Sequence, residues 1–450
     1  MITLRPNQVQ PVQKGIDYFN SDKPAPAIIV APTAAGKSII IAKIVEGVND
    51  KVLILQPSIE LLNQNHSKYS MIGGKASIYS ASAGQKNIGN VTYATIGSIV
   101  KLGEQFKAAG FTKMIIDEVH LFPREEGMLG RFLKSSGITH VLGLTATPLK
   151  LQNNVDVQGN PFSKLVMLTS KSKNGQFFKD IIHVTQVSEM VEAGFWSKLE
   201  YEQYDFDETG LKYNSTKADY TEESLKAVYE SNNITGKIIQ KIADIPNRKS
   251  IIVFVPSVKE AITLSRMIPN SVAVYGDMGK KERDNAISFF KKGIIRVVIN
   301  VNVLSVGFDH PELDTIICAR PTASLAWLYQ ALGRGTRIHP NKKDCLIVDF
   351  SGNIRKFGKI EKLVFVKENI WKLYGEGGNL LTGIPLHTIG EHTAETEAAP
   401  KKVLMPFGKH VGKEIKDIDV NYRSWMLQNF TWNANTMKIK KEIERLAATK

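Results

Sequence analysis

The sequence predicts an α/β protein with two tandem parallel-sheet domains, followed by a small basic module near its C-terminal end. Between residues 27 and 145, apolar runs rich in β-branched residues alternate with helix-like segments such as 37–47 and 59–69. The same alternation returns between residues 250 and 350. Because strands that alternate with helices form parallel sheets, each region is expected to fold as a separate α/β domain.

A chain of 450 residues has room for about three domains. The first α/β domain is predicted at 1–150 and the second at 181–370. A linker is expected at 151–180, which is polar and contains the stretch "LQNNVDVQGNP". A second linker is expected at 371–402, where "GEGGN" is followed by "EHTAETEAAPKK". The basic accessory module then occupies 403–450.

The composition favours a soluble protein with a polyanionic partner. Lys and Arg outnumber Asp and Glu by 58 to 44, which gives a net charge of +14. Such an excess points to nucleic acid first, although a soluble protein can also simply be basic. Cys318 and Cys345 lie in apolar runs and are interpreted as buried thiols in a reducing compartment. No signal-peptide core and no apolar run of about 18 residues is visible. We therefore expect no membrane association and a cytoplasmic location, which for a phage-encoded chain is the host cytoplasm.

The first chemical motif is "APTAAGKS", residues 31–38, between an apolar strand and a helix. It matches the phosphate-binding pattern G-x-x-x-x-G-K-[S/T] except that Ala31 replaces the first glycine. Backbone N–H groups at a helix N-terminus bind phosphate. Lys37 is expected to reach the β- and γ-phosphates, and Ser38 to hold Mg²⁺. The rest of the predicted cradle is Thr33, Ala34, Ala35 and Gly36.

The second motif is "KMIIDEVH", an apolar strand that ends in two carboxylates. Asp117, at the end of the strand opposite the phosphate loop, is placed where the Mg²⁺ of a nucleotide needs a ligand. Glu118 can orient and deprotonate the attacking water. Acidic pairs usually lie in solvated turns, but the buried strand directly before this pair argues against a solvated turn here. Together the two motifs predict a nucleotide hydrolase with ATP and Mg²⁺ as its cofactors.

These residues also carry a family resemblance. Asp-Glu-x-His after a phosphate loop resembles motif II of the superfamily 2 helicases and translocases, whose fold consists of two RecA-like domains. "LRPNQVQPV" resembles their N-terminal glutamine motif, which implies that Gln8 and Arg5 read adenine. "LTATP" resembles motif III, which implies that His120, Thr145 and Thr147 couple the ATP site to the strand-binding face.

The resemblance extends into the second half of the chain. "YQALGRGTRIHP" resembles motif VI, Q-x-x-G-R-x-x-R, and supplies Gln330, Arg334 and Arg337. On one helix these three residues would face the same way and would point at a γ-phosphate across a cleft. "VNVLSVGFDHPELD" resembles motif V, which implies that Gly307 and Asp309 bind the ribose or a neighbouring arginine.

Further motifs imply contacts to a nucleic-acid backbone. "LQPSIELLNQ", "VTYATIGSIV" and "IIVFVPSVKEA" resemble motifs Ia, Ib and IV of the family. The backbone-contacting residues implied by these stretches, by motif V and by the stretch "YGDMGKKERDNAISFFKKG" ahead of it are Pro57, Ser58, Thr95, Ser257, Gly276 and Ser305. Contacts to phosphates rather than bases imply little sequence specificity.

The resemblance implies an ATP-dependent DNA helicase or translocase that acts on single-stranded and branched DNA in replication, recombination or repair. A finer likeness to RadD-like and UvsW-like repair helicases comes from the segment "FFKDIIHVTQVSEMVEAGFWSKLEYE". An RNA helicase, the motor subunit of a restriction complex, and a strand-binding module with a vestigial ATPase remain alternatives. The sequence does not identify protein partners or fix the oligomeric state, and it is compatible with a monomer.

The C-terminal module contains "MPFGKHVGKEIKDIDVNYRSWMLQNFTW", which resembles small accessory domains at the ends of some exonucleases. Lys409, Lys413 and Arg423 are its candidate strand contacts. Its aromatic side chains can be read either as the core of a very small domain or as a surface on which bases stack. The first reading is favoured for most of them.

Overall fold

The computed structural model describes residues 3–22, 24–122, 127–155, 158–159, 161–171, 176–215, 219–304 and 308–389, and 405, 410, 413, 415–430 and 436–448. The chain divides into two compact units, Met1–Gly390 and Glu391–Lys450. The first unit contains two α/β halves, and the second is a small helical module.

The first half of the large unit alternates strands and helices as predicted. Its elements are α1 (Pro6–Asn20), β1 (Ala27–Val30), α2 (Lys37–Glu46), β2 (Val52–Gln56), α3 (Ile59–Met71), β3 (Ser77–Ser80), β4 (Gln85–Lys86), β5 (Val91–Thr95), α4 (Ile96–Ile99), α5 (Gly103–Ala108), β6 (Lys113–Asp117), α6 (Met128–Ser136), β7 (His140–Thr145), β8 (Leu149–Val155), β9 (Pro161–Met167) and β10 (Asp180–Val184).

The second half begins with a short helix and a strand. Its elements are α7 (Val187–Glu192), β11 (Lys198–Gln203), α8 (Glu222–Ser231), α9 (Ile234–Asp244), β12 (Ile251–Phe254), α10 (Val258–Met267), β13 (Ser271–Val274), α11 (Lys280–Lys291), β14 (Val297–Asn300), β15 (Thr315–Cys318), α12 (Leu325–Leu332), β16 (Asp344–Asp349), α13 (Asn353–Phe357), β17 (Val364–Lys367) and β18 (Trp371–Tyr374).

Each half is built on one sheet. Within the described residues the strand order is β10-β1-β7-β6-β2-β5-β3-β4 in the first sheet and β11-β16-β15-β12-β14-β13 in the second. All pairs are parallel except β3 with β4. Central strands such as β1 and β12 are buried along their whole length, because helices cover both faces of a parallel sheet. The predicted fold class is therefore confirmed.

The topology brings the two chemical motifs together. Strand β7 pairs with both β1 and β6, so the carboxyl ends of these three strands lie side by side. Ligands of open parallel sheets bind outside this edge. The loop after β1, the carboxylates after β6 and the threonines at the end of β7 therefore share one edge of the first sheet.

The segment 151–180, expected to be a linker, contributes ordered structure. Strands β8 and β9 form an antiparallel hairpin that runs from the pair Leu149↔Met167 to Val155↔Pro161. Strand β10 then pairs with β1, so the first sheet takes in residues beyond 180. The chain enters the second sheet only at β11, which pairs with β16. The proposed domain boundaries stay a prediction, but the first sheet reaches further along the chain than 150.

The small unit packs two helices, α14 (Val420–Asn429) and α15 (Met437–Ala448). Among the described residues, the buried core of this unit consists of isoleucine and methionine side chains, namely Met405, Ile415, Ile418, Met426, Ile439 and Ile443. Tyr422 and Phe430 are only partly buried beside this core, and Trp425 is exposed. The expectation that the aromatic residues form the core is therefore wrong for Trp425. Among the described helices of the whole chain, none is both long and apolar enough to span a bilayer.

Candidate functional site

The phosphate loop adopts its shape without a glycine at its first position. Ala31 is buried, and its N–H donates to the carbonyl of Thr145 on β7 at 3.0 Å, which continues the sheet. The left-handed backbone conformations of the loop fall at Ala34, with φ of 61°, and at Gly36, with φ of 83°. The residue that needs glycine is thus the one next to Lys37, and Ala31 costs the loop nothing.

The position of the Gln8 side chain is a second reason why residue 36 is a glycine. A Cβ on Gly36 would lie 2.3 Å from Gln8 Nε2. That amide nitrogen donates to the carbonyl of Ala35 at 3.0 Å, and Gln8 Oε1 accepts the Arg5 N–H at 3.0 Å. Gln8 therefore fastens the start of α1 to the phosphate loop. Its predicted contact with adenine stays a prediction.

The two carboxylates of "DEVH" have different environments. Asp117 is 3% exposed, and its Oδ2 accepts the Asn65 side-chain amide at 2.8 Å. Burial and the neighbouring Glu118 charge raise the pKa of Asp117 to about 6. Burial alone would also raise the pKa of Glu118, but the charge and hydrogen bond of Lys37 outweigh it and lower the pKa. Lys37 Nζ lies 3.1 Å from Glu118 Oε1, so Glu118 stays ionised.

A chain of hydrogen bonds leads from the second half of the unit to Glu118. Gln330 Nε2 donates to His120 Nε2 at 2.8 Å, which requires a neutral ring with its proton on Nδ1. His120 Nδ1 then donates to Thr145 Oγ1 at 2.8 Å, and Thr145 Oγ1 donates to Glu118 Oε2 at 3.5 Å. Burial lowers the pKa of His120, which agrees with the neutral ring. The Thr147 N–H also donates to Thr145 Oγ1 at 3.0 Å.

The arginines reach the same cleft, although not from one helix as expected. Helix α12 ends at Leu332, a 3₁₀ turn runs over Gly333–Thr336, and Arg337 is extended. Two glycines in the turn permit close packing. A Cβ on Gly333 would lie 2.6 Å from Thr33 Cγ2, and one on Gly335 would lie 2.5 Å from Cys345 Sγ.

The two arginine side chains are partly buried, with 22% of the Arg337 side chain exposed, and their charges interact. Arg334 Nη1 donates to the Phe308 carbonyl at 2.9 Å, and Arg337 Nε lies 2.7 Å from Asp309 Oδ1. Asp309 therefore pairs with the neighbouring arginine, which was one of its two expected roles. Burial and the charge of Arg337 lower the pKa of Arg334 to about 10. Both guanidinium groups remain charged at neutral pH and contribute positive charge to the cleft.

These groups line one cleft of about 480 Å³. Predicted site residues that line it are Arg5, Gln8, Thr33, Ala34, Gly36, Lys37, Ser38, Asp117, Glu118, Asp309, Gln330, Arg334 and Arg337. Ala35 contributes its carbonyl to Gln8 just behind this surface. The two halves of the unit thus contribute to a single site.

Sequence reasoning missed several residues of the cleft, among them Asn65, Lys68 and Phe195. Helix α3 turns Leu61, Gln64, Asn65 and Lys68 to the cleft, a spacing of i, i+3, i+4 and i+7 that could have been recognised. Burial lowers the pKa of Lys68, with a raising effect from Asp309 and a lowering effect from Arg337. The Phe195 ring lies 5.0 Å from the Arg5 guanidinium, a pairing that sequence spacing could not reveal.

The residues present fit a magnesium nucleotide. Within the described part of the chain, Arg337 Nη1 and Asn65 Oδ1 are buried without a hydrogen-bond partner, and both residues line the cleft. Donors and acceptors of this kind are expected where a polar ligand completes the site. No group of three or more His, Cys, Asp or Glu residues in the described ranges could hold a metal ion. The two predicted Mg²⁺ ligands, Ser38 and Asp117, both line the cleft, and Mg²⁺ usually binds through one or two carboxylates and substrate phosphates.

The predicted strand-contacting hydroxyls are already engaged with the protein. Ser58 caps α3 by accepting the Leu61 N–H at 3.3 Å. Ser257 caps α10 in the same way, with almost identical φ and ψ of −142° and 162°. Thr95 Oγ1 lies 3.1 Å from Ser80 Oγ and 3.0 Å from Ser98 Oγ. A capping hydroxyl uses only its acceptor side, so its O–H and the free backbone N–H groups of the turn can both donate to a phosphate, and the predicted strand contacts stay predictions.

The remaining predicted contacts are scattered. Pro57 is half-buried in the turn before α3, and Gly276 is exposed after β13. In the small unit, Lys413 is exposed and Arg423 is half-buried. The predictions at Ser305, Gly307 and Lys409 fall outside the described residues.

Two family models match the chain. A model described as "Type III restriction enzyme, res subunit" matches residues 1–150, and "Helicase conserved C-terminal domain" matches residues 234–339. "Putative ATP-dependent helicase IRC3" of Saccharomyces cerevisiae is 24% identical over 58% of this chain and 37% of its own length. "DNA 3'-5' translocase XPB2" of Sulfurisphaera tokodaii is 27% identical over 72% of this chain and 76% of its own length.

The chain spans only 37% of the Saccharomyces relative and 58% of a second yeast relative, "Putative mitochondrial ATP-dependent helicase irc3" of Schizosaccharomyces pombe. Among solved structures, "a putative HsdR subunit of a type I restriction enzyme" from Vibrio vulnificus superposes with a TM-score of 0.58 at 17% identity. This covers 78% of the present chain and 65% of that one. A likeness at such low identity concerns the fold alone. The finer resemblance to RadD-like and UvsW-like helicases stays a prediction.

Proposed function

We propose that this chain, which belongs to the superfamily 2 helicases, is an ATP-driven DNA translocase that unwinds or remodels branched DNA. The observation that carries the proposal is the hydrogen-bond chain from Gln330 through His120 and Thr145 to Glu118. It connects a residue of the second half directly to the proposed catalytic carboxylate of the first. Such a connection makes hydrolysis sensitive to the arrangement of the two halves.

Each residue of the cleft has a proposed part in hydrolysis. Glu118 accepts a proton from the attacking water, and Lys37 together with Ser38 and Asp117 positions the magnesium nucleotide. Bound Mg·ATP supplies the transferable phosphoryl group and the metal charge. Arg334 and Arg337 stabilise the charge that develops during transfer, from the other side of the cleft. Arg5, Gln8 and Phe195 surround the position proposed for the base.

Translocation follows if the two halves grip a strand alternately. The arginines of the second half and the phosphate loop of the first half both attract an anionic ligand, so its binding favours closure of the cleft. This attraction becomes weaker when the terminal phosphate of the ligand leaves. The helix starts at Ser58 and Ser257 occupy corresponding places in the two halves, each after a proline and a buried strand. Backbone N–H groups there bind phosphates of a strand, and their separation changes when the cleft opens. We propose that this change moves the strand.

DNA is proposed over RNA as the substrate. The XPB2 relative is named as a DNA translocase and spans most of this chain, and the net charge of +14 suits either nucleic acid. A panel of single strands, tailed duplexes, forks, four-way junctions and RNA duplexes, each assayed for stimulated ATPase and for unwinding, tests the proposal. Stimulation by RNA but not DNA, or hydrolysis by Lys37→Ala at the wild-type rate, would overturn it.

A second candidate is the motor subunit of a restriction complex. The family model matching residues 1–150 is named for a restriction subunit, and restriction enzymes are among the structurally similar proteins. In this case the chain acts on unbranched duplex with a partner chain. ATPase stimulated equally by plain duplex and by forks, without strand separation, favours this candidate, whereas preference for forks favours remodelling.

A further inference from the structure

The small unit has an exposed aromatic surface on helix α14. Trp425 is 51% exposed, although large aromatic side chains usually contribute to the core of so small a domain. Its ring stacks on that of Tyr422, with 5.8 Å between centroids and 26° between planes. The His410 ring meets Tyr422 edge-on at 4.6 Å and supports it from behind. We call the surface formed by Tyr422 and Trp425 the α14 aromatic face.

The residues around this face are mostly polar, and one carboxylate, the N-cap Asp419, accepts the Tyr422 N–H at 3.2 Å. The helix sequence "VNYRSWMLQN" contains one arginine and no Asp or Glu, and its exposed residues include Asn421, Ser424 and Gln428. Residues 401–450 contain 11 Lys or Arg and 5 Asp or Glu, counted along the sequence. A flat aromatic surface with neighbouring amides in a basic module matches the chemistry of unpaired bases on a phosphate chain.

We propose that the α14 aromatic face is a single-strand nucleic-acid site at which a base stacks on Trp425. The occupant is a single strand because duplex bases are already stacked on each other and do not offer their flat faces. The inference rests on the proposed function in one respect, that the polyanion is nucleic acid. It gives the motor a second contact with a loose strand, and binding at this face uses no residue of the ATP cleft.

Equilibrium binding of the full-length chain to a labelled oligothymidylate of about ten nucleotides, without ATP, tests the site. Trp425→Leu keeps an apolar side chain but removes the flat ring, and we expect it to weaken binding by about 5- to 150-fold, the range for one base–aromatic stack. Val420→Ala is the matched control, because Val420 is 43% exposed on the same helix but has no ring. Trp425→Phe retains a ring and should keep most of the affinity.

Two further measurements separate stacking from charge. The slope of log affinity against log salt should be unchanged in Trp425→Leu, whereas Lys413→Ala should reduce its magnitude by about 0.7 if that lysine contacts a phosphate. A strand of abasic sites should bind wild type and Trp425→Leu equally, because it has no bases to stack. Equal affinity of the two proteins for oligothymidylate, or an equal loss on the abasic strand, would overturn the inference.

Failure of this single-strand site can be distinguished from failure of the proposed ATP-driven function. At saturating DNA, Trp425→Leu should retain the wild-type kcat for ATP, since Trp425 has no place in the cleft. If neither protein shows nucleic-acid-stimulated hydrolysis but the Trp425 effect on strand binding persists, the motor function fails while the site stands. Binding of an apolar peptide in place of the oligonucleotide would instead identify a protein-docking surface and refute the single-strand site.

Discussion

The contact between Gln330 and His120 offers the sharpest test of how the two halves communicate. Both side chains are buried, with Gln330 7% exposed and the His120 side chain 6% exposed. The 2.8 Å hydrogen bond between them joins groups separated by 210 positions in the sequence. We predict that alanine substitutions at these two positions are strongly non-additive in their effect on ATP hydrolysis.

The size of the effect follows from burial. Removing either partner leaves the other as an unsatisfied buried group, which costs about 1–3 kcal/mol. If the bond forms only when the cleft is closed, each single variant should lower kcat/KM for ATP by about 5- to 150-fold. In the double variant neither polar group remains, so its loss should be close to that of the worse single variant. The coupling free energy is then about 1–2 kcal/mol.

The assay is steady-state ATP hydrolysis at saturating nucleic acid for wild type, Gln330→Ala, His120→Ala and the double variant. A control cycle pairs Gln330→Ala with Asn63→Ala, since Asn63 is exposed on α3 and should add independently. If the losses of the two single variants in the first cycle add up to the loss of the double variant within about 0.3–0.5 kcal/mol, the coupling role of the hydrogen bond is refuted. The loss in Gln330→Ala would then reflect only its own contact with the nucleotide.

Three further predictions concern the loop, the carboxylates and pH. Ala34→Gly relieves a left-handed backbone conformation and should stabilise the protein by about 0.5–1 kcal/mol in thermal unfolding, whereas Ala35→Gly next to it should destabilise it. Asn65→Ala removes the amide that orients the proposed magnesium carboxylate and should lower ATPase activity about 10- to 100-fold in Mg²⁺ titrations, with Asn63→Ala unaffected. His120 has a pKa lowered by burial, so its contribution to stability is present above about pH 6.5 and is lost as pH falls below it. Unfolding measured from pH 7.5 to 5 should show a smaller acid loss in His120→Asn, and identical profiles would contradict the buried neutral ring.

Local patterns of the sequence were sufficient to predict the strands and helices of the fold. Apolar runs of four to six residues, such as "AIIV" and "KMIID", became buried parallel strands because a sheet covered on both faces needs continuous apolar side chains. The phosphate loop and the acidic pair could be placed at strand ends for the same reason. The roles of Lys37, Asp117 and Glu118 could be proposed from the order of the phosphate loop and the acidic pair along the chain.

The tertiary structure decided what no local pattern contains. Ala31 is tolerated because its N–H bonds to a distant strand, and Gly36 is required because Gln8 from another helix occupies the space beside it. The predicted single helix for the motif VI residues ends at Leu332, because packing against Thr33 demands a glycine turn there.

The sequence by itself determined the fold class and predicted many of the residues that line the cleft, since strand patterning and motif order are properties of neighbours along the chain. Only the tertiary structure decided which of those residues touch, and which side chains the fold leaves for other partners. Asn65 and Phe195 joined the cleft, the hydroxyl oxygens of Ser58 and Ser257 accept N–H groups as helix caps, and Trp425 was left exposed. The physical reason is that such contacts depend on how distant segments pack against each other.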